Sequence, residues 1–207
     1  MARVYIAEGE YTKAQGLAEN ALILAKSDKG PESDSERCKC LIDLAFLYKN
    51  QGRFSDAQKA CEAGLELQKK IYYKDHPYIA ATLRILSSIY QGQCKYSQAE
   101  KTLAQAIHIM QKSHLPEDPA LAPYQVDMAR LLAAQGKFNE AEALYLPALE
   151  VINKSYGPDH LYTAGVISSL AELYTLQKKD KKAEELTNIA LKIQNKSQST
   201  VLSKAKL

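Results

Sequence analysis

The sequence predicts an all-α protein built as a solenoid of antiparallel helix hairpins, and three observations lead to this prediction. The stretch at residues 41–67, LIDLAFLYKNQGRFSDAQKACEAGLEL, returns along the chain with a nearly constant step. Each return holds an apolar run, a turn and a second apolar run. The apolar residues follow the i, i+3, i+4, i+7 spacing of a helix with one buried face. A fixed period of this length is typical of repeat proteins.

One column of alanines fixes the period, with steps of 43, 42, 42 and 42 residues. Its members are Ala14, Ala57, Ala99, Ala141 and Ala183. A second column holds Tyr5, Tyr48, Tyr90, Leu132 and Tyr174. A third holds Gly9, Gly52, Cys94, Gly136 and Lys178, so the turn of the fifth copy has lost its glycine. About five copies therefore fill most of the 207 residues.

Each copy is predicted to form two helices. In the second copy, the first helix, called helix A, carries its apolar stripe from Leu41 to Tyr48. Gly52 then supplies the left-handed residue that commonly ends a helix. The second helix, helix B, starts near Ala57 and keeps the helical spacing with one polar interruption. Small residues such as Ala57 and Gly64 predict that the two helices approach closely and form an antiparallel hairpin.

The pattern L-x2-L-A-x2-Y, followed by A-x3-C and G-L, resembles the tetratricopeptide repeat. The 42-residue step and the Asp-His linkers in KDHP (74–77) and GPDH (157–160) resemble the kinesin light chain type of this repeat. The resemblance implies a right-handed α-solenoid whose A helices line a concave groove. It also implies a protein-binding function, with ligand contacts from a few exposed columns of the A helices.

The chain is predicted to form one tetratricopeptide repeat domain over residues 1–194. Its approximate repeats are 1–34, 35–76, 77–118, 119–160 and 161–194. Residues 195–207 are expected to be a polar, basic tail or a short capping helix. The first copy lacks the start of its helix A, which predicts either a fragment of a longer protein or an N-terminal edge that meets another molecule. A local kink is expected at Pro147, inside helix B of the fourth copy.

Composition argues against several classes of protein. No apolar run of 18 residues and no secretory signal are visible, so we expect no membrane segment and a cytoplasmic location. The net charge of +3 comes from the last 13 residues, which argues against nucleic-acid binding. The four cysteines are interpreted as free thiols, with Cys38 and Cys40 as a metal or redox pair being the alternative.

No motif for catalysis, phosphate binding or a cofactor occurs, so the chain is predicted not to be an enzyme and to need neither cofactor nor metal. The histidines of the two Asp-His linkers, His76 and His160, are interpreted as structural residues, because other copies carry Ser33 or Asp118 there. The linker at Asp75 is expected to place a capping residue ahead of Pro77 at the start of the next helix A.

The resemblance places a candidate peptide-binding groove on the A helices. Its predicted residues are Arg3, Lys39, Ile42, Phe46, Lys49, Asn50, Arg84, Ser88, Gln91, Val126, Arg130, Ser168 and Glu172. This set is basic on balance, so an acidic peptide or a chain-terminal carboxylate is the predicted ligand. Phe46, Ile42 and Val126 are expected to supply apolar pockets. The alternative is that these charges form an ordinary solvated helix surface.

Kinesin light chains carry asparagines two and one residues before the second leucine of helix A. The matching positions here hold Ile42-Asp43, Arg84-Ile85, Val126-Asp127 and Ser168-Ser169. We therefore extend the scaffold, and not the ligand, to this chain. The predicted function is a non-enzymatic scaffold for protein–protein interaction, acting as a monomer or as a weak homo-oligomer through open repeat ends. A regulatory or self-associating section of a larger signalling or transport protein is the alternative.

Overall fold

The computed structural model describes residues 11–27, 31–115 and 117–204, and every regular element in these ranges is a helix. The helices are α1 (Tyr11–Ser27), α2 (Pro31–Asn50), α3 (Phe54–Ile71), α4 (Pro77–Gly92), α5 (Tyr96–Ser113), α6 (Ala122–Ala134), α7 (Phe138–Tyr156), α8 (Leu161–Leu176) and α9 (Asp180–Lys204). The predicted all-α fold of helix hairpins is confirmed. The predicted site residue Arg3 and the shortened helix A of the first copy lie outside the described residues.

The chain divides into two compact units, Met1–Ser113 and His114–Leu207. In the first unit, α2 pairs with α3 and α4 pairs with α5, while α1 packs on α2 and α3 packs on α4. In the second unit, α6 pairs with α7, α8 pairs with α9, and α7 packs on α8. Each hairpin inside a unit thus covers its neighbour, as stacked repeats require.

The turn within each hairpin depends on one residue in the left-handed backbone region. Gly52 has φ 73° and Gly136 has φ 77°, while the non-glycine residues Cys94 and Lys178 reach φ 59° and 58°. The residue that follows donates its N–H to the carbonyl five residues earlier, as Lys179 N does to Tyr174 O at 2.9 Å. The fifth turn therefore keeps the geometry of the others although its glycine is lost.

Small residues let the two helices of a hairpin approach each other. Ala57, Ala99 and Ala141 are fully buried, and Ala183 is 7% exposed. At Gly64, a Cβ atom would lie 2.8 Å from Ile42 Cδ1, closer than such atoms can pack. The predicted close approach is thus present, and a side chain at position 64 would require Ile42 to shift.

Successive hairpins are joined by hydrogen bonds from the tyrosine column. Each tyrosine of a helix A donates to a glutamate on the preceding helix B. Tyr48 Oη lies 3.1 Å from Glu19, Tyr90 Oη lies 3.3 Å from Glu62, and Tyr174 Oη lies 2.8 Å from Glu142. The fourth copy has Leu132 in this column, where it is buried in the apolar core of the second unit.

The linkers between repeats show what the Asp-His pairs do. His76 and His160 are the capping residues, because Nδ1 of each accepts the N–H of the residue two positions on, at 3.1 Å. Asp75 instead pairs with Lys112 at 2.7 Å, near the end of the following helix B. The ion pairs of Glu117 with Lys154 and of Asp159 with Lys196 repeat this tie in the next two copies. The interpretation of both histidines as structural residues therefore has a physical basis.

Two predictions concern the C-terminal half. Helix α9 runs from Asp180 to Lys204, so the backbone has no break near residue 194, where a separate tail was expected to start. Helix α7 is continuous across Pro147, whose missing N–H leaves one helical hydrogen bond unmade. The kink at Pro147 stays a prediction.

The buried Tyr174, which donates a hydrogen bond to Glu142, should make the protein less stable at alkaline pH. Burial, and then the hydrogen bond to Glu142, raise the pKa of Tyr174 to about 12 from an ordinary value of 10.0. The fold thus favours the neutral hydroxyl. The contribution of this hydroxyl to the free energy of unfolding is therefore complete below pH ~10 and is lost as the pH rises through 12. We expect Tyr174→Phe to lower the free energy of unfolding by about 1 kcal/mol at pH 8 and to lose less stability than the wild type above pH 10.

Urea unfolding followed by circular dichroism at several pH values measures this effect. Tyr156→Phe is the matched control, because Tyr156 is 47% exposed. Equal loss of stability above pH 10 in the wild type and in Tyr174→Phe would contradict the assignment.

Candidate functional site

The A helices of neighbouring hairpins lie side by side within each unit. In the first unit α2 contacts α4, and in the second unit α6 contacts α8. We call the outward side of each such pair an A-helix face. The B helices α3, α5, α7 and α9 support these faces from behind, because each packs against its own helix A.

The A-helix face of the first unit combines cations, amides and one aromatic ring. Phe46 is 38% exposed, and Lys49 Nζ lies 4.8 Å from its ring centroid. Such a cation over a ring keeps both groups in a defined position at the surface. The remaining predicted residues range from half-buried to exposed, and they are Lys39, Asn50, Arg84, Ser88 and Gln91.

The A-helix face of the second unit is organised by Arg130. Its Nη2 donates to Ser169 Oγ at 3.1 Å, which joins α6 to α8, and its Nη1 donates to Asp127 at 3.2 Å. The Arg130 side chain is still 50% exposed. A guanidinium has five N–H donors in a rigid plane, so donors remain for a ligand. The neighbouring predicted residues Ser168 and Glu172 lie on α8, half-buried and exposed respectively.

Tyr145 of α7 holds this arrangement from below. It is 1% exposed, and its hydroxyl forms a hydrogen bond with Ser169. Burial raises the pKa of Tyr145 above its ordinary value, although the nearby Arg130 lowers it. The hydroxyl therefore stays neutral, and Ser169 is fixed between a buried tyrosine and a half-exposed arginine.

One of the three residues predicted to supply apolar pockets, Val126, lies in the core instead. Val126 is 6% exposed and belongs to the core cluster of the second unit, because the first turns of α6 lie against α7 and α8. Ile42 is half-buried and packs on Gly64 of its own hairpin, so most of its side chain serves the contact between α2 and α3. Of the three side chains, only that of Phe46 is exposed.

The predicted excess of positive charge is also smaller than the groove residues suggested. Lys39 Nζ pairs with Glu36 at 2.7 Å, and Arg130 pairs with Asp127. Both acids stand one helical turn before the base on the same helix. Counting only the exposed columns omitted these neighbours, which share the surface with the cations.

Nothing in the described part of the chain assembles a metal centre. No group there of three or more His, Cys, Asp or Glu residues could hold a metal ion. All four cysteines are free, and burial raises the pKa of Cys61 to about 12, which makes its thiol unreactive. None of the described helices is long and apolar enough to span a bilayer.

Sequence reasoning missed Asp127, Ser169 and Tyr145. Asp127 and Ser169 occupy one column of helix A, directly after the predicted position of Val126 and Ser168. The sequence offered one sign of their role, because the fourth and fifth copies both carry a polar residue in this column. Tyr145 had no such signal, because its column holds Cys61 and Leu103 in earlier copies and is a core position.

The arrangement of helix pairs, left-handed turns and A-helix faces defines a tetratricopeptide repeat protein. The profile of the MalT-like TPR region matches residues 1–205. The chain therefore belongs to the MalT-like TPR family. A search of the curated proteins found no match.

Solved structures show the same fold. BtubC (BKLC) from P. vanneervenii is 20% identical, with a TM-score of 0.74 over 95% of this chain and 78% of its own. A protein of Podosopora anserina assigned as a kinesin light chain, with nearly identical TPR-like repeats, is 26% identical, with a TM-score of 0.70 over 95% and 93%. A Rap protein complexed with Competence and Sporulation Factor is 15% identical, with a TM-score of 0.78 over 93% and 51%. The resemblance to the kinesin light chain type is thus confirmed.

Ser169 should matter for stability more than its neighbour Ser168. Removing its hydroxyl leaves the buried Tyr145 hydroxyl and an Arg130 N–H without a partner, at a cost of about 1–3 kcal/mol. Ser168 Oγ bonds the carbonyl of Ala164 in its own helix, at 3.0 Å, so its loss should cost little. Urea unfolding of Ser169→Ala and Ser168→Ala compares the two, and equal midpoints would show that the network is unimportant.

Proposed function

We propose that this protein is a non-enzymatic interaction scaffold whose A-helix faces bind a peptide segment that carries carboxylates. The observation that carries the proposal is the half-exposed Arg130, held between α6 and α8 by Asp127 and Ser169. A guanidinium fixed in this way has lost much of its conformational freedom before a ligand arrives. A carboxylate can then pair with its remaining donors at a smaller entropic cost.

The A-helix face of the first unit supports the same chemistry. Lys49 over the Phe46 ring offers a cation beside an exposed apolar surface. An acidic residue next to an apolar one would fit this pair, because charge and ring are contacted together. Arg84 lies on the adjacent helix α4 and is half-buried.

The solved relatives support a binding role rather than catalysis. The Rap protein is complexed with Competence and Sporulation Factor, so a chain of this fold can hold another molecule. Residues with the geometry of a nucleophile and base are not assembled on either A-helix face as described. We infer that recognition, and not a reaction, is the function of these faces.

Charge reversal on both faces tests the proposal. Fluorescent pools of random peptides with acidic, neutral and basic net charge are titrated against the full chain, with binding read as anisotropy. We expect the acidic pool to bind best and to lose about 10- to 100-fold in affinity in the Arg84→Glu/Arg130→Glu variant. Added salt should weaken binding of the acidic pool, because the contacts are solvent-exposed.

A matched control changes the same net charge elsewhere. Lys101→Glu/Lys192→Glu alters exposed lysines on the B helices α5 and α9, so it should leave binding intact. Circular dichroism confirms that both double variants keep their helices. The proposal fails if the three pools bind equally, or if the two double variants weaken binding to the same extent.

A further inference from the structure

A cluster of four rings lies at the linker between α3 and α4 and at the start of α4. We call it the ring cluster, and it consists of Tyr72, Tyr73, His76 and Tyr78. Tyr72 stacks on His76 with ring centroids 4.3 Å apart. Tyr73 and Tyr78 flank the same imidazole, with centroids 5.0 and 4.8 Å away. From this geometry we propose that the ring cluster is a binding site for an extended proline-rich peptide segment.

The outer rings are open to solvent. Tyr73 is 65% exposed and Tyr78 is 58% exposed, although both are large aromatic side chains. Exposed tyrosines that both contact one imidazole form a pre-organised apolar surface, since that contact restricts their rotamers. A polyproline II helix docks on such aromatic surfaces, because its rings pack flat against them and its conformation is preformed.

The polar atoms of the ring cluster are donors that match the backbone of such a segment. His76 Nδ1 accepts the N–H of Tyr78 at 3.1 Å, so in the neutral ring the proton sits on Nε2. The hydroxyls of Tyr72, Tyr73 and Tyr78 have no hydrogen-bond partner among the residues described. A polyproline II segment has no internal hydrogen bonds, so its carbonyl oxygens can accept from these groups.

The charges around the cluster favour a neutral or acidic ligand over a cationic one. Lys39, which is paired with Glu36 at 2.7 Å, also interacts electrostatically with Tyr72 and Tyr78, and Lys74 lies within the linker itself. The nearby carboxylate of Asp75 is held by Lys112. A ligand amine would therefore meet positive charge, whereas a neutral segment, or one with an acidic residue beside the prolines, would not.

The other linkers show that the rings are not needed to join two repeats. Between α5 and α6, the column of His76 holds Asp118, whose Oδ1 accepts the N–H of Ala120 at 2.8 Å. A carboxylate thus performs the same local task without any ring. In the second unit, Tyr156, His160 and Tyr162 repeat part of the cluster, but Gly157 stands in the column of Tyr73. The additional ring of the first unit is therefore Tyr73, which contacts His76 where the second unit has Gly157.

Titration of the full chain with a synthetic oligoproline of about ten residues tests the proposal. A second oligoproline with aspartates at one end, and a Gly-Ser peptide of the same length, are compared with it. The readout is the set of NMR signals of the tyrosine rings. We expect both proline peptides to shift the Tyr72, Tyr73 and Tyr78 signals, and the Gly-Ser peptide to shift none.

Variants separate binding from folding. Tyr73→Ala/Tyr78→Ala should weaken oligoproline binding about tenfold or more, since two ring contacts are lost. Leu146→Ala/Leu176→Ala removes side chains of similar exposure, 48% and 55%, and should not change it. His76→Asn keeps an acceptor for the helix cap but removes the ring, so it should weaken binding while the helix content stays the same.

The proposal is overturned if oligoproline leaves the ring signals of the wild-type chain unchanged up to millimolar concentration. It is also overturned if the tyrosine and leucine double variants bind alike. The wild-type titration decides the matter even if a variant does not fold. Because Arg84 and Arg130 are not members of the ring cluster, Arg84→Glu/Arg130→Glu should bind oligoproline normally, so failure here is distinguishable from failure of the proposed function.

Discussion

Close contact between the two helices of each hairpin is the constraint on which the rest of this structure depends. The alanine column makes it possible, with Ala57, Ala99 and Ala141 fully buried at the crossing of helix A and helix B. A single hairpin has too little apolar surface to stay folded alone, so it must also cover its neighbour. The tyrosine–glutamate bonds and the Asp–Lys and Glu–Lys ties reinforce that contact, but they are individually modest.

The packing of the helices within each unit explains why the A-helix faces are open to solvent. The B helices pack against their own helix A and, within a unit, against the next one, so their apolar residues are used for stability. Helices α4 and α8 each contact three helices, namely their own helix B, the preceding helix B and the neighbouring helix A, which leaves one side of each open to solvent. The open side of the A helices can carry residues such as Phe46 and Arg130, whose exposure would otherwise have no structural reason. The proposed binding and the folding thus depend on different sides of the same helices.

Much of the fold could be predicted from the sequence, because a repeat multiplies each local signal. The period located the hairpins, and the glycine column located the turns, including the one where Lys178 adopts the left-handed conformation without glycine. The site was less predictable. Projection from the repeat pattern treated Val126 as exposed, but the short helix α6 directs it into the core. Asp127 stands three residues before Arg130 on the same helix, and Ser169 bonds to Arg130 from the neighbouring helix, so a projection that counts only the exposed columns includes neither partner.

The most direct test of this account is the effect of a larger residue at the crossing of α6 and α7. Ala141 is fully buried there, whereas Ala143, two residues on in the same helix, is exposed. The measurement is the urea midpoint of Ala141→Leu beside that of Ala143→Leu. The account predicts that Ala141→Leu loses about 1–3 kcal/mol through overpacking and that Ala143→Leu stays near the wild type. Equal stability of the two variants would contradict the claim that the small-residue column holds the hairpins together.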